Sequence, residues 1–331
     1  MRRLNYAIIG TNWLSKHYAA AIEEAGERFY AVCSRDLQKA EAFAGGRARA
    51  YGDLEEMLKD PAIDVVYNCT PNVHHGPISI ACLRAGKHVF CEKPVTMSVE
   101  EYGEVCRVAD EEGKRFSEAI MNYFSPAIPA LKKELHKSGD IIIARFDFSQ
   151  RSSKLEAAKQ GILASTFHKG SGGGVLMDLG VYPLHLAVNL FGAPKSLQAF
   201  ARWFGEVDIT DTLVLSYESF DVVITLSKLG QGYAGSEIIC DKATFGLKNI
   251  SMLLGVTKTD LSREMSMIDC GASMPDSVMN DSEIFVHTAS RLVRSFSGMV
   301  RGEAEDDYLS LRRNSLEVQK LLQEAKLQIG Y

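Results

Sequence analysis

Between residues 4 and 119 the chain repeats one pattern, a short unbroken apolar run followed by a helical stretch, and few folds accommodate it. Tyr6-Ala7-Ile8-Ile9 reads as a strand ending at Gly10, and Trp13 to Ala25 as the helix after it. Phe29 to Cys33 is a second strand and Leu37 to Phe43 a second helix; Asp64 to Cys69 and His88 to Cys91 are further strands. A strand that is apolar along its whole length has both faces buried, the condition of a parallel sheet covered by helices. Crossovers between parallel strands are right-handed, so a doubly wound α/β sheet is predicted. Beyond Glu118 the rhythm changes. Ile141 to Phe148, Leu197 to Phe204, Thr212 to Tyr217 and Val222 to Ser227 follow with fewer helices between them. Thr212 to Tyr217 (T-L-V-L-S-Y) alternates as a half-buried antiparallel strand does. A helical stretch from Tyr308 to Leu327 closes the chain. Two domains are expected, residues 1–119 and 120–331, the second α+β with an antiparallel-rich sheet.

Composition narrows the function. Lys and Arg number 37 against 42 Asp and Glu, a net charge of −5, and no segment gathers a basic face, so nucleic acid is not an expected partner. No apolar run approaches the ~18 residues of a membrane span. Arg2-Arg3 leads into too few apolar residues for a signal-peptide core. The 7 cysteines are odd in number and form no C-x-x-C pair, as in a reduced, cytoplasmic protein. His74 and His75 are adjacent and cannot chelate one ion tetrahedrally, so no metal is expected.

The turn Gly10-Thr11-Asn12-Trp13-Leu14-Ser15 stands where the G-x-G-x-x-G of a dinucleotide-binding βαβ unit belongs, between first strand and first helix. Only Gly10 survives; Asn12 and Ser15 replace the other glycines. Asn tolerates the left-handed region better than most residues, and Ser is small enough for close helix packing. A helix N-terminus offers N–H groups to phosphate, although a plain strand–turn–helix connection has the same pattern. Ser34-Arg35-Asp36, at the end of the second strand, sits where the adenosine ribose is read. A hydroxyl followed by a guanidinium suits a 2′-phosphate, which favours NADP(H) with NAD(H) possible.

Three further stretches carry a resemblance: Thr70-Pro71-Asn72-Val73-His74-His75, Ala85-Gly86-Lys87-His88-Val89-Phe90-Cys91-Glu92-Lys93-Pro94, and Gly172-Gly173-Gly174-Val175-Leu176-Met177-Asp178-Leu179-Gly180-Val181-Tyr182. In this order and spacing the chain resembles, from about residue 4 to 330, the glucose–fructose oxidoreductase / inositol dehydrogenase / rhizopine catabolism (Gfo/Idh/MocA) oxidoreductases. The resemblance implies an N-terminal Rossmann doubly wound sheet and a C-terminal α+β domain with a large antiparallel-rich open sheet. It places the pyrophosphate at Gly10 and Thr11 to Leu14 (Thr11, Asn12, Trp13, Leu14), the adenosine end at Ser34 and Arg35, and the cofactor's middle at Thr70, Pro71, Asn72 and His75. Glu92 would face the nicotinamide, Lys93 matches the active-site lysine, and a cis bond before Pro94 is implied.

In the second domain Asp178, Tyr182 and His185 are spaced i, i+4, i+7, one face of a helix, with Pro183 as a point of kinking or restart. Histidine stands at the position of Tyr182 in inositol-dehydrogenase-like members; tyrosine resembles the dihydrodiol/xylose dehydrogenase branch. By that resemblance Tyr182 is the general acid/base, Asp178 its orienting carboxylate, acting through Lys93, and His185 a substrate contact. Glu118-Ala119-Ile120-Met121-Asn122-Tyr123-Phe124-Ser125-Pro126 departs from the family's E-A-x-x-x-R-x-x-P by having Tyr123 for arginine. The expected function is an NAD(P)-dependent dehydrogenase acting on a secondary alcohol or ketone of a sugar or cyclic polyol, with Lys93 and Tyr182 at the reacting oxygen. The alternative is a non-catalytic NAD(P)- or sugar-sensing regulator of the same fold, suggested by Asn12 and Tyr123. Association through the sheet of the second domain, as a homodimer or tetramer, is expected.

Overall fold

The computed structural model describes residues 2–270 and 280–331, which divide into two compact units. The first unit is built on six parallel strands: β1 (Asn5–Ile9), β2 (Arg28–Cys33), β3 (Arg49–Tyr51), β4 (Val65–Asn68), β5 (His88–Glu92) and β6 (Phe116–Ala119). Their order in the sheet is β3-β2-β1-β4-β5-β6, so the chain reverses direction of travel between β1 and β4. Tyr6, Ile8, Val32, Val66, Tyr67 and Phe90 are fully or almost fully buried, as the unbroken apolar runs require.

Helices α1 (Trp13–Glu24), α2 (Leu37–Ala44), α3 (Leu54–Leu58), α4 (His75–Arg84) and α5 (Val99–Glu111) connect these strands. Side chains cap most of them. Asn12, Asp36, Asp53 and Ser98 each accept from the backbone N–H three residues on, satisfying a donor that no helix supplies with a partner.

The second unit begins at Met121 and contains α6 (Ala127–Lys137), α7 (Leu155–Lys159) and α8 (Val181–Phe191). Its sheet has eight strands: β7 (Ile141–Ser149), β8 (Ser196–Phe204), β9 (Val207–Ser216), β10 (Asp221–Ser227), β11 (Ser236–Cys240), β12 (Ala243–Lys248), β13 (Gly255–Asp260) and β14 (Met265–Met267). They run in the order β14-β13-β12-β11-β7-β10-β9-β8, antiparallel except where β7 meets β10. Alternate residues of β9 and β11 are buried and half-exposed, the period-two pattern of a sheet covered on one face.

The division is not a single cut after residue 119. The first unit extends to Ile120, and the chain returns to it in α9 (Asp281–Arg301) and in α10 (Glu305–Ile329) as far as Arg313; Asn314–Tyr331 belongs to the second. α9 opens with a capping box between Asn280 and Glu283. It lies against α1 and β1: the Phe285 and Trp13 rings meet edge-on at 5.4 Å, and Tyr6 and Ser297 hydroxyls are 2.8 Å apart.

One expectation about apolar length also needs correction. Lys169–Phe191, with mean hydropathy 1.3, is long and apolar enough to cross a membrane by composition, but 78% of that window is buried inside the protein. It is core.

Candidate active site

In the first unit the strands that reach the site end level with one another. Ile9 pairs with Cys33 and with Asn68, and Asn68 with Cys91, so the residues following β2, β1, β4 and β5 emerge side by side. Gly10 to Leu14, Ser34 and Arg35, Thr70 to Asn72, and Lys93 all lie there, at the carboxyl edge where ligands of open α/β sheets bind.

Gly10 has φ of +109°, and a Cβ on it would stand 2.8 Å from the Cys69 carbonyl oxygen. No side chain fits, so the turn into α1 stays flat. Asn12 plays a different part from the one expected. Its backbone is extended, φ −80°, not left-handed. Its Oδ1 accepts from the Ser15 N–H at 2.9 Å and its Nδ2 donates to the Cys69 carbonyl at 3.2 Å. The side chain thus folds back as an N-cap, and the amides of Trp13 and Leu14 keep the freedom that first-turn amides have. Asn12→Ala is expected to lower stability by about 1 kcal/mol in chemical denaturation; an unchanged midpoint would show the cap to be inert.

At the end of β2, Ser34 is partly exposed and Arg35 exposed; Arg35 makes no hydrogen bond or ion pair among the described residues. Asp36 is engaged, capping α2 through the Lys39 N–H at 3.3 Å and pairing with the Lys39 ammonium at 3.4 Å. The glycine turn, the free first-turn amides and this unpaired guanidinium are a donor set that fits a dinucleotide phosphate.

Thr70 donates its hydroxyl to Asn68 Oδ1 at 2.8 Å, and Pro71 and Asn72 begin a single 3-10 turn. His75 is buried, with Nδ1 2.7 Å from the Pro94 carbonyl and Nε2 2.8 Å from the Thr70 carbonyl. Its ring therefore ties the Thr70 turn to the segment after β5 rather than presenting a nitrogen to a ligand. The Lys93–Pro94 peptide is cis, as the resemblance implied. Glu92 is buried beside Lys93; its carboxylate accepts from the Tyr67 hydroxyl and, at 3.2 Å, from the Lys93 N–H. Burial pushes the Glu92 carboxyl up to about 7 against the opposing pull of the Lys93 charge.

In the second unit Asp178 and Tyr182 do not share one regular helix. Asp178 lies in a π turn, Leu176–Gly180, and Tyr182 in the first turn of α8. The π turn runs without a break into α8, Gly180 itself being helical with φ −62°, so Pro183, the third residue of α8, lies inside a continuous helix, just past a π turn that already departs from the regular hydrogen-bond ladder. Gly180 makes the close approach to the sheet possible: a Cβ there would stand 2.9 Å from Leu226 Cδ1. Asp178 forms an ion pair at 2.7 Å with Lys228, a buried lysine at the end of β10. Lys228 is not among the residues expected at the site from the sequence. The signal was present, because Lys228 continues the inward parity of Val222, Ile224 and Leu226. Tyr182 is nearly buried, its ring edge-on to Phe148 at 5.7 Å and its carbonyl accepting from Asn122 Nδ2 at 2.8 Å. His185 is fully buried, with Nδ1 2.5 Å from Asn314 Oδ1, so it braces α8 from within and offers no surface to a substrate.

The chain is similar to known proteins along most of its length. The family described as "Oxidoreductase family, NAD-binding Rossmann fold" matches residues 4–120, and the "GFO/IDH/MocA C-terminal domain" residues 136–245. The scyllo-inositol 2-dehydrogenase (NADP(+)) IolU of Bacillus subtilis is 37% identical over 254 residues, 75% of this chain and 76% of that protein. The chain belongs to the Gfo/Idh/MocA oxidoreductase family. The trans-1,2-dihydrobenzene-1,2-diol dehydrogenase of Mus musculus, 33% identical over 219 residues, covers 63% of each chain. A levoglucosan dehydrogenase solved with NADH and levoglucosan shares the fold at TM-score 0.83 and 18% identity, over 99% of this chain and 98% of that one.

Against the Gfo/Idh/MocA pattern, the two departures read differently once placed. Asn12 supplies a helix cap, as described. Tyr123 packs its ring edge-on to Phe124 at 5.0 Å, and the neighbouring Asn122, fully buried, donates to the Tyr182 and Ile250 carbonyls. In this Gfo/Idh/MocA member the segment after β6 thus braces the backbone of α8.

Proposed function

We propose that this oxidoreductase interconverts a secondary alcohol and ketone on a cyclic polyol or sugar, with NADP(H) as the preferred cofactor. The observation that carries the reading is the convergence of the Gly10 turn, Arg35, Thr70 and Lys93 at the level carboxyl ends of four adjacent strands. The preference for NADP(H) rests on Asp36, which is spent on capping α2, while Arg35 is unpaired and exposed. An acidic residue free at that position would instead accept from a ribose 2′-hydroxyl. The relatives named as an NADP(+)-dependent inositol dehydrogenase and as dihydrodiol dehydrogenases support the substrate class.

Thr11 to Leu14 hold the pyrophosphate through backbone amides, Ser34 and Arg35 the 2′-phosphate, and Thr70 to Asn72 the middle of the cofactor. When bound, the nicotinamide supplies hydride chemistry. Lys93 places a positive charge on the reacting oxygen and stabilises developing alkoxide. Tyr182 moves the hydroxyl proton. Asp178, held by Lys228 at 2.7 Å, orients its surroundings.

The test is a fluorescence titration with NADPH and NADH, followed by turnover on a panel of inositols, cyclic diols and aldoses. Tighter NADPH binding and turnover of at least one cyclic polyol or sugar are expected. Binding without turnover of any panel member would favour the sensing reading, and absence of binding would overturn the assignment of the Gly10 turn.

A further inference from the structure

Strand β9 carries two carboxylates into the interior of the second unit. Arg202 pairs with Thr210 and Trp203 with Asp208, which leaves Ile209 as an extra residue, a bulge. Side chains three apart on a regular strand point to opposite faces. The bulge cancels that alternation, and Asp208 and Asp211 are both buried, at 0% and 1% exposure.

Asp208 Oδ2 accepts from the Leu176 N–H at 2.7 Å. Its Oδ1 and both Asp211 oxygens have no hydrogen-bond partner among the described residues. Gly174, φ +113°, belongs to the same contact: a Cβ on it would stand 2.0 Å from Asp208 Oδ1. The carboxylate therefore lies directly against the glycine run that leads into the π turn.

Two ionised carboxylates facing each other in a dry interior, with three oxygens unpartnered, are strongly unfavourable. One proton between them removes a charge and joins two of the three orphaned oxygens, one from each carboxyl, in a hydrogen bond. We propose that Asp208 and Asp211 hold a single shared proton, and that this pair, with Lys228, forms a buried cluster that positions Asp178. Lys228 is the cation, and Asp178 is its ion-pair partner on the π turn. Tyr331 also borders the cluster; burial and then the Asp208 charge push its phenol up to about 12, its hydroxyl donates to the Gly173 carbonyl at 2.5 Å, and the Lys169 and Lys326 ammoniums lie 5.1 and 5.5 Å from the centre of its ring. With Asp211 neutral, one lysine faces two carboxylates; with Asp211 ionised it would face three. Burial first, then the Asp208 charge, push Asp211 up to about 9.

The π turn is thus held on both sides of its active carboxylate, by Asp208 at the Leu176 amide and by Lys228 at Asp178 itself. Asp208, Asp211 and Lys228 are positioning residues. Their role in positioning rests on the catalytic reading of Asp178 and Tyr182; the shared proton does not.

Asp211→Asn tests the proton directly, because an amide N–H can donate to Asp208 as the protonated carboxyl does, without titrating. In the native protein the folded state keeps a proton that the unfolded chain loses near pH 4, so this group's contribution falls as pH rises from there to about 9. One proton is a tenfold change in the folding constant per pH unit. Chemical denaturation across that window should show the wild-type slope reduced by this amount in Asp211→Asn, and an unchanged slope overturns the proposal. Infrared difference spectra of the two folded proteins give a second readout, a protonated-carboxyl carbonyl band present in wild type and missing in the variant. No such band in the difference overturns it equally. For positioning, Asp208→Ala should lower kcat about tenfold with KM little changed. Asp208→Asn, whose amide oxygen still accepts from the Leu176 N–H, should restore most of it. Unaltered kcat in Asp208→Ala overturns the positioning role. Failure of the wider catalytic reading would appear elsewhere, as undiminished turnover in Tyr182→Phe, and would leave the proton readouts intact.

Discussion

Tyr182→Phe is expected to lower kcat by about 100-fold or more while leaving the fold and cofactor affinity as they are. The substitution removes one oxygen. The ring remains to pack edge-on against Phe148, and the backbone carbonyl still accepts from Asn122, so α8 keeps its anchors. What is lost is the hydroxyl proposed to move a proton at the reacting oxygen, and positioned acid–base groups contribute roughly 10²–10⁴ in rate. The measurement is steady-state turnover on the best substrate of the panel, with an unfolding curve beside it. A variant that turns over normally would remove Tyr182 from the chemistry and leave the oxidoreductase without its assigned acid.

Arg35→Ala is expected to weaken NADPH about 10- to 100-fold and to change NADH by less than about twofold, since a charge-assisted hydrogen bond contributes roughly 1.5–3 kcal/mol. The side chain is exposed and unpaired among the described residues, so its removal breaks no contact of the protein's own. Direct titration of both cofactors reads the ratio. Equal loss for the two would mean that Arg35 stacks on the adenine they share, and no loss would move the 2′-phosphate site elsewhere.

The parallel sheet was legible because strands buried on both faces have no choice of residue: Ile8, Val32, Val66 and Phe90 announce themselves. The cis Lys93–Pro94 peptide was legible through an unusually specific string of neighbours. The sites that were misread all depend on long-range partners. Asn12 looked like a failed glycine because its cap and its bond to Cys69, 57 residues away, have no trace in local pattern. His185 looked like a ligand contact by helical spacing, yet spacing gives a face and not its burial, and Asn314 lies 129 residues on. Asp208 was invisible for a stricter reason. A bulge changes which way a side chain points, and no alternation count in β9 alone reveals where the partner strand skips a residue.

The return of the chain into the first unit bears on synthesis. Tyr6 and Ser297, bonded to each other, are 291 residues apart, and Phe90 stacks on Phe296 at 4.9 Å. A ribosome that has released the whole nucleotide-binding sheet has yet to make the helix that covers α1 and Phe90. Residues 2–120 alone therefore form a sheet with an uncovered apolar side, the kind of species that aggregates or recruits a chaperone. An N-terminal fragment ending there is not a miniature of this unit. The nucleotide-binding half of the molecule becomes whole only when α9, near the end of the chain, arrives.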